Sequence, residues 1–331
     1  MMIWLLLLVA QNTLKTLVLK AAVADKPQFL YSVAVVLTEA VKAALSLLWV
    51  LVCGGTPLSI LHFLRSEWRM CLRAMVPAAV YNFQQVLEFV ALARLEAHIF
   101  AVLVQTKLLT TALFTRVLLG RTLTGLQTVA LVLLLFGVVL AQLKPMRHDV
   151  TPQMDFEVLT GVAATISISA LSGFAAVYTE MVLKDCKPNV QTSGKDPLPY
   201  QQVQLALASM ITMSAFGCFT DTSTVLNDGL WHGFDHATVL SIVTSAFGGL
   251  LVAAVLKYAD SILKGYATAA SLLLTGVFSA LCFGTALTMN FFLGGFLVAC
   301  SIVMYTHKHG AQSVYLRDKV AAGPPERMET A

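Results

Sequence analysis

The chain has 331 residues, of which 57% are hydrophobic and 12% charged, and its formal net charge is +4. Globular domains average about 25% charged residues, so the composition excludes a soluble domain with an ordinary charged exterior. The small basic excess marks topology rather than a nucleic-acid partner, because the charges cluster in short gaps between long apolar runs.

A membrane-crossing helix needs about 20 apolar residues, and the sequence offers ten such runs: 2–19, 29–52, 72–93, 99–119, 123–143, 158–183, 201–219, 237–256, 265–283 and 289–305. The runs are continuous rather than alternating, which predicts helices and not a barrel, since backbone groups in lipid must pair within their own segment or a closed sheet.

The first run carries Gln11, Asn12 and Lys15 and no clear cleavage pattern, so it reads as an uncleaved first span. Glu39 and Lys42 lie in the second run, Tyr81, Gln84, Gln85 and Glu88 in the third, and Lys107 in the fourth. A charge at mid-bilayer costs about 3 kcal/mol on insertion scales, so it is expected to face a partner or a water-filled cavity. Several such charges predict a polar route through the membrane, and lysines in that route predict an anionic passenger.

The gap 144–157 divides the runs five and five. Halves with an odd number of spans enter the membrane in opposite senses, which predicts an inverted repeat with its site near the midplane. The expected organisation is a first half at 1–143, a lumenal connector at 144–157, a second half at 158–306 and a disordered cytosolic tail at 307–331. Gly120-Arg-Thr-Leu-Thr124 before the fifth run is similar to Gly284-Thr-Ala-Leu-Thr288 before the tenth, and glycines follow in both at Gly137 and at Gly294–Gly295.

Lysine and arginine fall mostly in gaps on the side of the N-terminus, among them Arg65, Arg69, Arg73, Arg116, Arg121, Lys184, Lys257 and Lys264. The long gap holding Asp221, Asp228 and Asp235 has none. That bias predicts an even number of spans, in keeping with the ten apolar runs, and both termini in the cytosol. In short, the fold class expected is an all-α polytopic membrane protein.

In the second half, Glu180 precedes Lys184 by one turn and Asp260 follows Lys257 by three residues, spacings that predict local ion pairs. Lys264 precedes Gly265 at the start of the ninth run, where a helix N-terminus adds N–H groups and partial positive charge suited to an anion. His232 and His236 flank Asp235, but no further ligand of convincing spacing completes a metal site. No Walker A, dinucleotide-binding glycine pattern or nucleophile elbow is present, so neither a cofactor nor an enzyme activity is expected.

Three stretches stand out together: Tyr81-Asn-Phe-Gln-Gln85 followed by Gln105-Thr-Lys107-Leu-Leu-Thr-Thr-Ala-Leu-Phe114; Leu171-Ser-Gly-Phe-Ala-Ala-Val-Tyr-Thr-Glu180; and the apolar run from Gly248 that ends Lys257-Tyr-Ala-Asp-Ser-Ile-Leu-Lys-Gly265. In this order they closely resemble the Golgi nucleotide-sugar transporters, in the subgroup that carries CMP-sialic acid, UDP-galactose and UDP-N-acetylglucosamine. The resemblance implies a ten-helix fold of the drug/metabolite transporter type. It also implies a multi-pass Golgi membrane protein that exchanges a cytosolic nucleotide sugar for a lumenal nucleoside monophosphate.

By the same resemblance, phosphate contacts map onto Tyr81, Lys107 and Lys264, base contacts onto Gln84, Gln85, Ser172 and the Gln201–Gln202 pair, and sugar-side contacts onto Glu39 and Lys42. The stretch from Ala246 to Ala253 with Lys257-Tyr-Ala-Asp260 is similar to the UDP-sugar members, which favours UDP-galactose or UDP-N-acetylglucosamine and leaves CMP-sialic acid open. A homodimer is also left open. Two rivals stand beside this reading: a carrier of the same fold for another solute such as a sugar phosphate, and a multi-span enzyme or scaffold that does not transport.

Overall fold

The architecture is taken from a computed structural model, which describes residues 2–23, 31–92, 94–95, 97–143, 156–185, 197–220, 225–227, 229–231, 233–284 and 287–321. Its principal elements are helical: α1 (Met2–Val23), α2 (Tyr31–Val52), α3 (Pro57–Ser66), α4 (Trp68–Leu92), α5 (Ala97–Leu103), α6 (Lys107–Leu119), α7 (Gly125–Gln142), α8 (Phe156–Asp185), α9 (Leu198–Thr220), α10 (His236–Tyr258), α11 (Ser261–Phe283) and α12 (Met289–Ala321). Among the described residues no strand is present.

Eight helical segments are long and apolar enough to cross a membrane, and Met2–Val18 forms a shorter apolar helix. The apolar composition is turned outward as well as inward. Leu6, Val52, Phe136, Leu281 and Phe296 are exposed large hydrophobics on the outer surface, as expected where lipid replaces water.

Two elements were not read from the sequence. The segment 57–66, read as a gap, forms α3, because Thr56 caps it reciprocally with Ser59 and Pro57 sits in the first turn. Ile60 and Phe63 pack it onto Val50, Tyr200 and Val203. The fourth run is not a continuous α-helix. It tightens to a 3₁₀ turn at Val104–Thr106 between α5 and α6, whose Val104 carbonyl accepts from the Lys107 N–H and also lies 3.3 Å from the Ser169 hydroxyl of α8.

Packing runs mainly between the two halves of the chain. α1 lies against α10 and α11, and α8, the first helix after the connector, lies in the same way against α4 and against α6. α2 packs on α9, and α7 packs on α12. A Cβ at Gly137 would stand 2.9 Å from the Gly294 carbonyl oxygen, so α7 and α12 cross with their backbones nearly touching.

The expected connector lies outside the described residues except for its last two, which open α8, and the expected tail begins within α12, which runs to Ala321. Cys53, Cys218 and Cys282 are exposed at or beyond helix ends. Those positions are poorly enclosed by neighbouring helices.

Candidate functional site

A cavity of about 590 Å³ opens among α1, α2, α4, α8, α9, α10 and α11. That size falls within the range of pockets that hold small organic ligands. Its walls are built from helix faces with the spacing that a 3.6-residue period dictates. α4 contributes Pro77, Tyr81, Gln84 and Glu88, α10 contributes Thr238, Ser241, Ser245, Gly248 and Gly249, α1 contributes Gln11 and Lys15, and α2 contributes Val35, Thr38, Glu39 and Lys42. α9 adds Gln202 and Ser209, and α11 adds Lys264 from its first turns.

Charge in this cavity is carried by lysine and glutamate. Lys42 pairs with Glu39 one turn earlier on α2. The Lys42 stem lies across Gly249, where an added Cβ would stand 3.0 Å from its Cδ. Gly249 is therefore a close-approach glycine, and a methyl group there would push the lysine aside. Lys107 does not itself line the cavity. It starts α6 behind the wall, and its charge acts on two residues that do line it, Glu88 and Lys264.

Lys264 is held by a network that the sequence reading did not assemble. Asp260 caps α11, its Oδ1 accepting from the Leu263 N–H at 2.7 Å. Glu180 is fully buried. Its Oε2 accepts from the Ser261 N–H at 2.8 Å, and its Oε1 accepts from Arg121 Nη1 at 3.0 Å and Lys184 Nζ at 2.7 Å. Two carboxylates therefore satisfy the N-terminus of α11, and two cations neutralise Glu180. The expected one-turn pair of Glu180 with Lys184 is present as one arm of this larger cluster, and Asp260 serves as an N-cap.

Of the ten residues named from the sequence, Glu39, Lys42, Tyr81, Gln84, Gln202 and Lys264 line the cavity. Lys107 stands immediately behind it. Gln201 faces away: its amide donates to the Leu183 carbonyl at 3.0 Å and its Oε1 accepts from Lys257 at 3.0 Å, which makes it a tie between α8, α9 and α10. Ser172 is half-buried on α8 and is not in the cavity wall. The side chain of Gln85 lies outside the described ones.

The sequence reading missed Gln11, Lys15, Ser241 and Ser245 as wall residues. For α1 the signal was there, Gln11, Asn12 and Lys15 within about one turn of an otherwise apolar run, but it was used only to argue against a signal peptide. Gln84 Oε1 and Gln202 Nε2 are buried without a hydrogen-bond partner among the described residues. Both line the cavity, so a bound polar ligand would satisfy them.

The His236 side chain is exposed, His232 lies outside the described residues, and no cluster of metal-ligating side chains occurs among the described ones.

Comparison with known proteins identifies relatives for this geometry. A family model described as nucleotide-sugar transporter matches residues 1–306. The UDP-galactose/UDP-N-acetylglucosamine transporter srf-3 of Caenorhabditis elegans is 33% identical over 92% of this chain and 81% of its own length. The UDP-galactose translocator of Mus musculus is 35% identical over 76% of this chain and 63% of its own length, so the chain spans less than two thirds of that relative. The CMP-sialic acid transporter 2 of Oryza sativa subsp. japonica is 33% identical over 70% of this chain and 62% of its own length. A solved crystal structure with 13% identity superposes at a TM-score of 0.68 over 92% of this chain and 96% of the other, a likeness of fold alone.

Proposed function

We propose that this chain, which belongs to the nucleotide-sugar transporter family, exchanges a cytosolic pyrimidine nucleotide sugar for a lumenal nucleoside monophosphate across the Golgi membrane. The observation that carries the reading is the cavity itself, a membrane-embedded polar chamber with Lys264 in its wall and Lys107 at its back. Two ammonium groups close enough to repel each other are stabilised by an anion between or beside them. Phosphate, with its charge spread over several oxygens, is such an anion.

In this reading Tyr81, Lys107 and Lys264 serve the phosphates, Gln84 and Gln202 the base, and Glu39 and Lys42 the sugar. The unpartnered amides of Gln84 and Gln202 support the base assignment, since a pyrimidine edge presents both donors and acceptors. Ser172 and Gln201 do not face the cavity and are withdrawn from the proposed contacts; Gln201 acts instead as a tie. UDP-galactose and UDP-N-acetylglucosamine are favoured as passengers because the sequence is most like the UDP-sugar members around Ala246–Asp260, and relatives named for both sugars match it. Relatives named for CMP-sialic acid keep that nucleotide sugar as the alternative.

Ten spans are counted by adding α1 and α4 to the eight apolar segments and treating α5 with α6 as one broken span. The packing supports the inverted repeat: exchanging each helix for its counterpart five spans away turns the α1 contacts with α10 and α11 into the α8 contacts with α4 and α6, and leaves the α2–α9 and α7–α12 pairs unchanged. The Glu180 cluster then lies at the cytosolic end of the cavity, with both termini on that side.

Counterflow in proteoliposomes tests the proposal. Internal UMP or CMP should accelerate nucleotide-sugar uptake, whereas uncharged uridine or cytidine should not. Lys107→Ala should abolish exchange while the purified protein keeps its thermal melting transition. Full exchange by that variant would remove Lys107 from the phosphate site.

A further inference from the structure

Lys15 is the one cavity-lining cation to which neither the sequence reading nor the proposed exchange assigns a task. It sits on α1, half-buried, with its side chain in the wall of the cavity. No described carboxylate pairs with it. Glu39 is taken by Lys42, and the charge felt by Glu88 is that of Lys107. The cavity and its backing thus hold four lysines (Lys15, Lys42, Lys107 and Lys264) against Glu39 and Glu88, which leaves two ammonium groups to be met by the passenger.

The packing of α1 places those two groups apart. Leu8 packs with Ala267, and the Thr13 hydroxyl donates to the Ser271 carbonyl at 3.3 Å, so α1 and α11 run in the same direction and Thr13 is level with Ser271. Lys264 lies seven residues before Ser271 and Lys15 two after Thr13. At 1.5 Å of rise per residue their backbones are about 13 Å apart along the helix axes. Between them comes the Glu39–Lys42 pair: Lys42 covers Gly249 while Gln11, one turn before Lys15, covers Gly248. Along the cavity the order is therefore Lys264, then Glu39 with Lys42, then Lys15.

We propose that Lys15 reads the sugar: it forms an anion subsite beyond Glu39 and Lys42, so that the site that takes UDP-galactose and UDP-N-acetylglucosamine binds their counterparts with a carboxylate at the sugar's C6 more tightly. This rests on the exchange reading above, which puts phosphate at Lys264 and the sugar at Glu39 and Lys42. A neutral hexose places its nucleotide's charges side by side at the phosphates and leaves Lys15 with no counter-charge. A hexuronate, with its carboxylate at C6, puts one negative charge at the far end of the sugar, where Lys15 waits, and a charge pair formed away from bulk water discriminates strongly. The adjacent carboxylate of Glu39 does not oppose this, because Lys42 neutralises it.

The test uses the full chain in proteoliposomes exchanging labelled UMP for internal UMP, with external UDP-galactose and UDP-galacturonate as competitors. This pair differs only in oxidation at the sugar's C6. In the wild type the acid should compete at a concentration at least tenfold lower than the neutral sugar. Lys15→Gln should bring that ratio close to one, and Lys15→Arg should retain most of it. Equal competition in the wild type, or an unchanged ratio in Lys15→Gln, overturns the proposal. So does a loss of UMP affinity in Lys15→Gln as large as the loss for the acid, since the ammonium would then serve a phosphate. If Lys15→Gln fails to fold, the wild-type ratio and Lys15→Arg still decide. Absence of any UMP exchange or nucleotide-sugar competition in the wild type would sink the exchange reading and this proposal together, an outcome distinct from robust exchange without preference.

Discussion

Glu180 shows how a residue outside the cavity can govern one inside it. Its buried carboxylate accepts from Ser261 N–H, Arg121 and Lys184, and Lys264 follows Ser261 by three residues on the same helix. Removing the carboxylate leaves two cations facing the positive end of α11, an arrangement that the helix dipole makes worse. Breaking a buried charge cluster in this way costs about 3 kcal/mol, toward the lower end of the usual range because the Arg121 side chain is 50% exposed and recovers water. Glu180→Ala should therefore lower the melting temperature of the purified protein by several degrees and weaken UMP binding, although Glu180 touches no nucleotide. Glu180→Gln, which keeps one acceptor, should fall between the two. An unchanged melt for the alanine variant would mean that the cluster does not hold α11 in place.

The Glu180–Lys184 pair was read from its one-turn spacing, whereas Glu39 and Lys42, equally close in sequence, were read as contacts to the sugar and not as partners of each other. The remaining partners of Glu180, Arg121 and Ser261, are 59 and 81 residues away in sequence, and no local pattern reveals such a junction.

Among the elements, α7 and α12 depend most on particular residues. Gly137 and Gly294 face each other, and a Cβ on Gly294 would stand 2.5 Å from both the Ala141 nitrogen and the Gly137 carbonyl oxygen. Both obstacles are backbone, so neither can swing away as a side-chain tip would. Gly294→Val forces the helices apart, and overpacking of this kind costs roughly 1–3 kcal/mol. The cost should appear as a lowered melting temperature and poor recovery from detergent. Gly125→Ala, on the same helix as Gly137 with nothing within 4 Å of the added carbon, is the control and should melt like the wild type. Equal melting of all three proteins would show that the crossing is not close.

The sequence marked both glycines, because they follow similar connectors in the two halves. It did not tell that they meet each other, because likeness between two connectors does not say which helices pack together. The helix break at Val104–Thr106 was equally hidden. None of these residues is a helix breaker, and the side chain that contacts the turn, Ser169, reaches it from a different helix. By contrast α3 announced itself in Thr56-Pro57-Leu58-Ser59, a capping signal passed over because the segment is too short to span a bilayer.

For the whole molecule, the arrangement of charge bears on how transport is coupled. Among the helix pairs that join the first half of the chain to the second are α2–α9 and α7–α12, which the proposed inverted repeat would map onto themselves. Rocking about those pairs would carry the cavity from one side to the other. The empty cavity carries more ammonium than carboxylate, and closing it around uncompensated charge would remove that charge from water. In the proposed exchange a bound nucleotide would cancel the excess, and the loaded protein would cross the closed state more readily than the empty one. This difference alone is enough to turn a carrier into an exchanger, with no second energy source.

It follows that reducing the charge should loosen the coupling. Lys264→Gln should bind nucleotide more weakly, by roughly ten- to a hundredfold for the loss of a charge-assisted hydrogen bond worth about 1.5–3 kcal/mol. Its empty form should also reorient more easily. At saturating substrate, uptake into vesicles without internal nucleotide should then rise as a fraction of uptake into vesicles loaded with UMP, relative to the wild type. A variant that binds weakly yet remains as strictly dependent on internal UMP as the wild type would show that the empty carrier is held back by something other than its own charge.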